Sequence, residues 1–298
     1  MRLIMMKSLH KGPKRHHSVA EMLQKRFTDD EGGLFFFDNQ RPDLGVRWTR
    51  PHNLFCRHDL YSEIGKDGSK DPALEHKISI LEGQIDLLIE KTVSATRNNR
   101  PPCFTPAEKA AWDRFLILQW KRVPDLHACI SSLRDFETEY DQLLDQLRDR
   151  IPNLQQEIEK LREPTAKKRM IHNIKVDALA RPSTVVETMI ARRGLAVLGI
   201  TRPGKSFVIG SHPVIKLTRP GKTHILDSEV EVWLPVASDV AIGLGRAAGT
   251  EIVVPVSDTA QVRHLNEAIV RQSTMFAARS EALVRSLGRP GWTAPMMA

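Results

Sequence analysis

The chain reads as an α+β protein: mostly helical, with a long helical hairpin or coiled-coil-like segment and an antiparallel β meander. Three observations lead there. Apolar residues recur at helical spacing from Leu74 to Leu161. Short β-rich runs divided by Pro and Gly fill much of residues 195–234. The two textures occupy separate blocks instead of alternating, which is the pattern of α+β rather than α/β architecture.

Taken in order, residues 1–26 form a basic N-terminal arm carrying seven Lys/Arg against Glu21 alone. Residues 27–298 form a single α+β domain. Leu34-Phe35-Phe36-Phe37 behind Gly32-Gly33 predicts a strand after a turn. Asp71-Pro72 supplies a cap and a first-turn proline for a helix bearing Leu74, Ile78, Leu81, Ile85 and Leu88. Thr105-Pro106-Ala107-Glu108 is a capping box that opens a second helix, which ends near Pro124. A helical insertion follows at about 125–193. Its ladder of Leu133, Phe136, Tyr140, Leu144, Leu147, Ile151, Leu154, Ile158 and Leu161 steps by threes and fours like a coiled-coil seam, although Pro152 argues for a break. The β meander spans about 195–258, and Thr259–Leu287 returns to helix.

Composition narrows the class. No apolar run approaches the roughly 20 residues needed to span a bilayer, so no membrane role is expected. Cys56, Cys103 and Cys129 are odd in number and far apart, which disfavours a disulfide framework and points to a reducing cytoplasm. The net charge of +8 is unevenly spread. Residues 192–222 hold seven basic residues and no acidic one, whereas 125–163 hold ten acidic against five basic. The two basic stretches, 1–26 and 192–222, suit a nucleic-acid partner through counterion release. The acidic ladder at 133–161 suits a protein partner.

Gly199-Ile200-Thr201-Arg202-Pro203-Gly204-Lys205-Ser206 matches the P-loop pattern, but a phosphate loop must open a helix. Phe207-Val208-Ile209-Gly210 and then Pro213 follow instead, so the segment is a hairpin turn with Pro-Gly at its centre. His52, Cys56 and His58 fit no standard zinc spacing. His16-His17 are suited to general-base work, metal ligation or phosphate contact. Glu75 and Glu82 lie two helical turns apart on nearly one face, beside Leu74 and Leu81. A half-buried carboxylate needs a partner, and Gln119 with Arg122 on the next helix supplies one.

In order along the chain, these segments resemble the bacterial domain-of-unknown-function family four-two-three-eight. They are His16-His17-Ser18-Val19-Ala20 running to Phe27, Glu75 with Glu82, Gln119-Trp120-Lys121-Arg122, Gly210-Ser211-His212-Pro213-Val214, Leu234-Pro235-Val236-Ala237 and Leu265-Asn266. The family pattern has Tyr at Ser18, Pro at Ala20 and a Ser-Asp pair at Gly210-Ser211, so the late motif is degenerate here. The family implies a fold and no established activity. The expected site therefore comprises His17, Glu82 and Arg122 as catalytic groups, with His16 and Glu75 holding a divalent metal. Gln119, Ser211, His212 and Asn266 are further polar candidates. Two functions fit: a metal-assisted hydrolase of a phosphodiester, or a non-catalytic nucleic-acid- or protein-binding module. The first expects His17, Glu82, Gln119 and Arg122 to converge.

Overall fold

The computed structural model describes residues 15–123, 133–181, 183–218, 221–222, 225, 227 and 229–288. The first fourteen residues of the expected basic arm lie outside it. So do Pro124, Cys129, Arg219, Pro220 and most of the Thr223–Leu226 run. The protein is mixed α and β, and its paired strands are mainly antiparallel.

In chain order the strands and helices are β1 Arg15–His17, α1 Glu21–Gln24, β2 Leu34–Asp38, β3 Arg47–Thr49, β4 Cys56–His58, β5 Glu63–Ile64 and β6 Lys70–Asp71. Then come α2 Ala73–Arg97, α3 Pro106–Lys121, α4 Leu133–Arg150, α5 Gln155–Arg162, α6 Pro164–Ala180 and α7 Thr184–Ala191. The last block is β7 Leu195–Ile200, β8 Ile209–Gly210, β9 Ile215–Leu217, β10 Glu231–Pro235, β11 Val240–Leu244, β12 Glu251–Val256, α8 Thr259–Gln272, β13 Met275–Ala278 and α9 Glu281–Leu287. Both anticipated helix starts are present. The Asp71 carboxylate accepts the Ala73 amide at 2.9 Å, and Thr105 and Glu108 cap α3 reciprocally.

The chain divides into two compact units, which differs from the expected arm plus single domain. The smaller holds 57–80 and 134–181 with Arg15 and His16. Its core is Tyr140, Leu144, Ile158 and Ile171, flanked by Leu147, Leu161 and Met170. The apolar ladder is helical but not one continuous rod. α4 stops at Arg150, and Pro152 opens a 3₁₀ turn ahead of α5. A proline has no backbone N–H with which to continue the helix. Tyr140 then donates to the Leu161 carbonyl, and Arg162 meets Asp145 at 2.5 Å. Asn173 pairs with both backbone groups of Ile64, tying β5 to α6.

The larger unit holds 17–56, 81–123 with Leu133, and the described residues between 183 and 288. Residues 17–26 are folded here and do not form a free arm. Val19, Leu23 and Phe27 recur every fourth residue and are fully buried, a stripe that the surrounding Lys and Arg obscure. One sheet runs β12-β7-β11-β10-β9, with β12 parallel to β7 and the other pairs antiparallel. A second runs β3-β2-β13-β8. β13 corrects the expectation of continuous helix from Thr259 to Leu287. Met275-Phe276-Ala277-Ala278 has no strand signature, yet it fills the gap between β2 and β8 and pairs with both. Tertiary pairing overrides local propensity at this point.

The P-loop-like segment behaves as a turn. Gly204 has φ +75°, and no helix follows. The same sheet divides the basic stretch 192–222. Arg192 precedes β7 while Arg202 and Lys205 follow it, and six extended residues separate the ends by about 20 Å. Arg193 is buried, its guanidinium donating to the Gly245, Asp227 and Val230 carbonyls. These residues therefore do not make one phosphate-facing patch. No described helix is long and apolar enough to cross a membrane.

Candidate functional site

The site is built on the segment between β1 and α1. Ser18 donates both its amide and its hydroxyl to the Phe55 carbonyl, at 2.8 and 3.0 Å. The Gln24 amide group donates to the Val19 and Leu54 carbonyls. With Val19, Ala20 and Leu23 buried beneath them, these bonds fix the backbone that carries His17.

A polar frame from α2 and α3 grips the same segment. Arg122 follows the last turn of α3 and is 1% exposed. Its Nη1 meets Glu82 Oε1 at 2.5 Å, its Nη2 donates to Gln119 Oε1 at 2.7 Å, and its Nε donates to the Ser18 carbonyl at 3.1 Å. The Gln119 Nε2 group donates to that same carbonyl at 2.9 Å. The expected partnership of Glu82, Gln119 and Arg122 is present. Its target is a backbone oxygen beside His17, a feature no side-chain pattern can announce. Arg122 is thus a buried structural cation with all three guanidinium nitrogens engaged, not a group open to a substrate.

His17 stands next to this frame. Its ring donates to the backbone carbonyl of His52, while Nε2 is buried and has no hydrogen-bond partner. The proton therefore sits on Nδ1, and Nε2 presents its lone pair 3.9 Å from Glu21 Oε2. Burial lowers the His17 pKa and Arg122 lowers it further. Glu21, the His52 carbonyl and Glu82 pull it up, and the net shift is downward from 6.5. The imidazole is consequently neutral at neutral pH. Glu21 loses some carboxylate stability to burial, but its hydrogen bond with Lys25, at 3.0 Å, leaves its pKa lowered overall. Sequence reasoning passed over Glu21. Its signal was present, because His17 and Glu21 are four residues apart at the start of a helix.

His16 and Glu75 also come together, within the smaller unit. Glu75 Oε2 lies 3.9 Å from His16 Nδ1. That nitrogen already accepts the Tyr61 amide at 3.0 Å, and the imidazole stacks on the Tyr61 ring. Nδ1 is thus engaged by protein, which makes this a structural contact. Among the described residues no group of three or more His, Cys, Asp or Glu is arranged to hold a metal.

Ser211, His212 and Asn266 make a network of their own. Asn266 accepts the Val208 amide and donates to the Ser206 carbonyl, pinning the segment after the Gly204 turn to α8. Ser211 Oγ accepts the Thr274 and Met275 amides at 3.1 and 3.3 Å. His212 is buried, its amide bonded to Ser273 Oγ. Two converging amides are a place where a carboxylate could also be held. The resemblance implies a Ser-Asp pair at Gly210-Ser211; here the Ser211 hydroxyl is the acceptor for both amides.

The family model described as "Protein of unknown function (DUF4238)" matches residues 15–282, most of the chain. This chain belongs to the DUF4238 family. The DUF4238 match begins at β1 and takes in the His17 site, both sheets and α8. No curated protein and no solved structure matches the chain.

Proposed function

We propose that this DUF4238 member is a hydrolase of phosphodiesters in which His17 Nε2 is the general base. The observation that carries the reading is the neutral imidazole with a buried, unpartnered Nε2. A positioned general base accelerates proton transfer by about 10²–10⁴. Glu82, Gln119 and Arg122 act through the backbone, by holding the Ser18 carbonyl and with it the position of His17. An anionic substrate suits a chain of net charge +8 and pI near 9.5. A divalent metal can enter with a phosphodiester substrate, so magnesium and manganese belong in the assay. We place this activity in the reducing cytoplasm expected from the sequence, a compartment in which cysteines stay as thiols.

The test is cleavage of single- and double-stranded DNA and RNA by purified protein, with Mg²⁺, with Mn²⁺ and with a chelator. His17→Ala is expected to lose at least about 10²-fold in rate. Cleavage that survives His17→Ala unchanged would sink the reading. A non-catalytic binding module is the second reading, favoured by the exposed turn carrying Arg202 and Lys205. In it this turn contacts nucleic acid, and the acidic helices across 133–161 dock a protein. It predicts binding without cleavage, weakening steeply as salt rises.

A further inference from the structure

Glu21 belongs to the same site and is not used by the reading above. Its two oxygens have different surroundings. Oε1 is held by Lys25 at 3.0 Å, while Oε2 faces His17 Nε2 at 3.9 Å. With the ring proton committed to the His52 carbonyl, two acceptors face one another with no donor of the protein between them. Such a pair is stabilised by a molecule that donates to both. One water suffices: legs of about 2.8 Å to two atoms 3.9 Å apart open an angle of about 90° at its oxygen, near the natural H–O–H angle.

We propose that His17 Nε2 and Glu21 Oε2 together bind the attacking water, making Glu21 a second catalytic residue of the hydrolysis on which this inference rests. As the water oxygen attacks phosphorus, one O–H bond breaks and its proton passes to Nε2. The second hydrogen stays on the new phosphate oxygen and is steered by Oε2. The phosphorus–oxygen bond to the leaving alkoxide, in line on the far side of phosphorus, breaks; the alkoxide takes a proton from solvent, and the imidazolium gives its own back to solvent. Oε2 faces the imidazolium while it lasts, so the carboxylate serves first as water acceptor and then as counter-ion. Glu82 is not available for this task, because its Oε1 is bound to Arg122.

Two measurements on the full chain decide it. Steady-state kinetics of Glu21→Leu on any phosphodiester that the unmutated protein cleaves should show kcat reduced about 100-fold with KM within about twofold. Glu21→Asp should recover part of the loss. A high-resolution crystal structure should place an ordered water within hydrogen-bond reach of both Nε2 and Oε2, absent in Glu21→Leu. Unchanged kcat in Glu21→Leu, or a crystal without a water touching both atoms, overturns the proposal. An unmutated protein that cleaves nothing overturns the hydrolase reading instead, and the bridging water is then judged by the crystal alone.

Discussion

His17 couples the chemistry of the site to the stability of the fold. Its folded pKa is lowered, chiefly by burial and secondarily by Arg122, against the pull of Glu21, Glu82 and the His52 carbonyl. The unfolded chain titrates near 6.5 and so binds this proton more readily than the native state. The stability contributed by the neutral imidazole is therefore complete above about pH 6.5 and is lost as pH falls from there through the folded value. Urea unfolding at pH 7.5 and 5.5 should show a larger loss for the unmutated protein than for His17→Gln. Equal losses would contradict the assignment. The Arg122 guanidinium allows a second prediction. Arg122→Met strands the partly exposed Glu82 carboxylate and leaves the Ser18 carbonyl short of a donor, at a cost of about 3 kcal/mol. Replacing both, as Glu82→Gln with Arg122→Met, should cost less than the two single losses added together, which a double-mutant cycle measures. The sequence could name Glu82, Gln119 and Arg122 because half-buried charge demands a partner. It could not show that the shared target was a main-chain oxygen.

At the level of elements, the readable signals were those made by a few adjacent residues. The capping box of α3, the Asp71 cap of α2, the Phe-rich β2 and the Pro-Gly turn all depend on local chemistry, and each is present. β13 was not readable, because Met275–Ala278 becomes a strand only through β2 and β8 on either side. Likewise, the burial of Val19, Leu23 and Phe27 depends on partners supplied by other elements. Gly210 shows how tightly the second sheet closes on α8. An added Cβ would lie 2.2 Å from Ser273 Oγ and 2.7 Å from Ile269 Cγ2. Gly210→Ala should therefore destabilise by about 1–3 kcal/mol, seen as a lower urea midpoint with an unchanged slope. Thr105→Ala tests a purely local device and should cost about 1 kcal/mol. A larger penalty for Thr105→Ala than for Gly210→Ala would reverse this ranking of local against tertiary contributions.

Across the whole molecule, the expected insertion proved to be the larger part of a unit with its own core. Its boundaries were hidden because 57–80 and 134–181 are far apart in sequence, and composition alone does not reveal which segments close on each other. Contacts of long sequence separation carry an entropic cost that local patterning does not record. Among the described residues the two cores share none: one is Tyr140, Leu144, Ile158 and Ile171, the other centres on residues such as Phe27, Trp112, Val197 and Phe276. A cavity in the small core should therefore act locally. Leu144 is 2% exposed, and truncating a buried Leu to Ala costs about 2–5 kcal/mol. That loss falls on the cluster of Tyr140, Leu144, Ile158 and Ile171 that holds α4, α5 and α6 together. In Leu144→Ala, amide hydrogen exchange should accelerate through α4, α5 and α6, while β7, β10, β11 and the Ser18 amide keep their protection. His17, Glu82, Gln119 and Arg122 belong to the larger unit, so the proposed hydrolysis should persist in this variant. Uniform loss of protection in both units would show that they unfold as one body, and the two cores would then have to be treated as a single cooperative system.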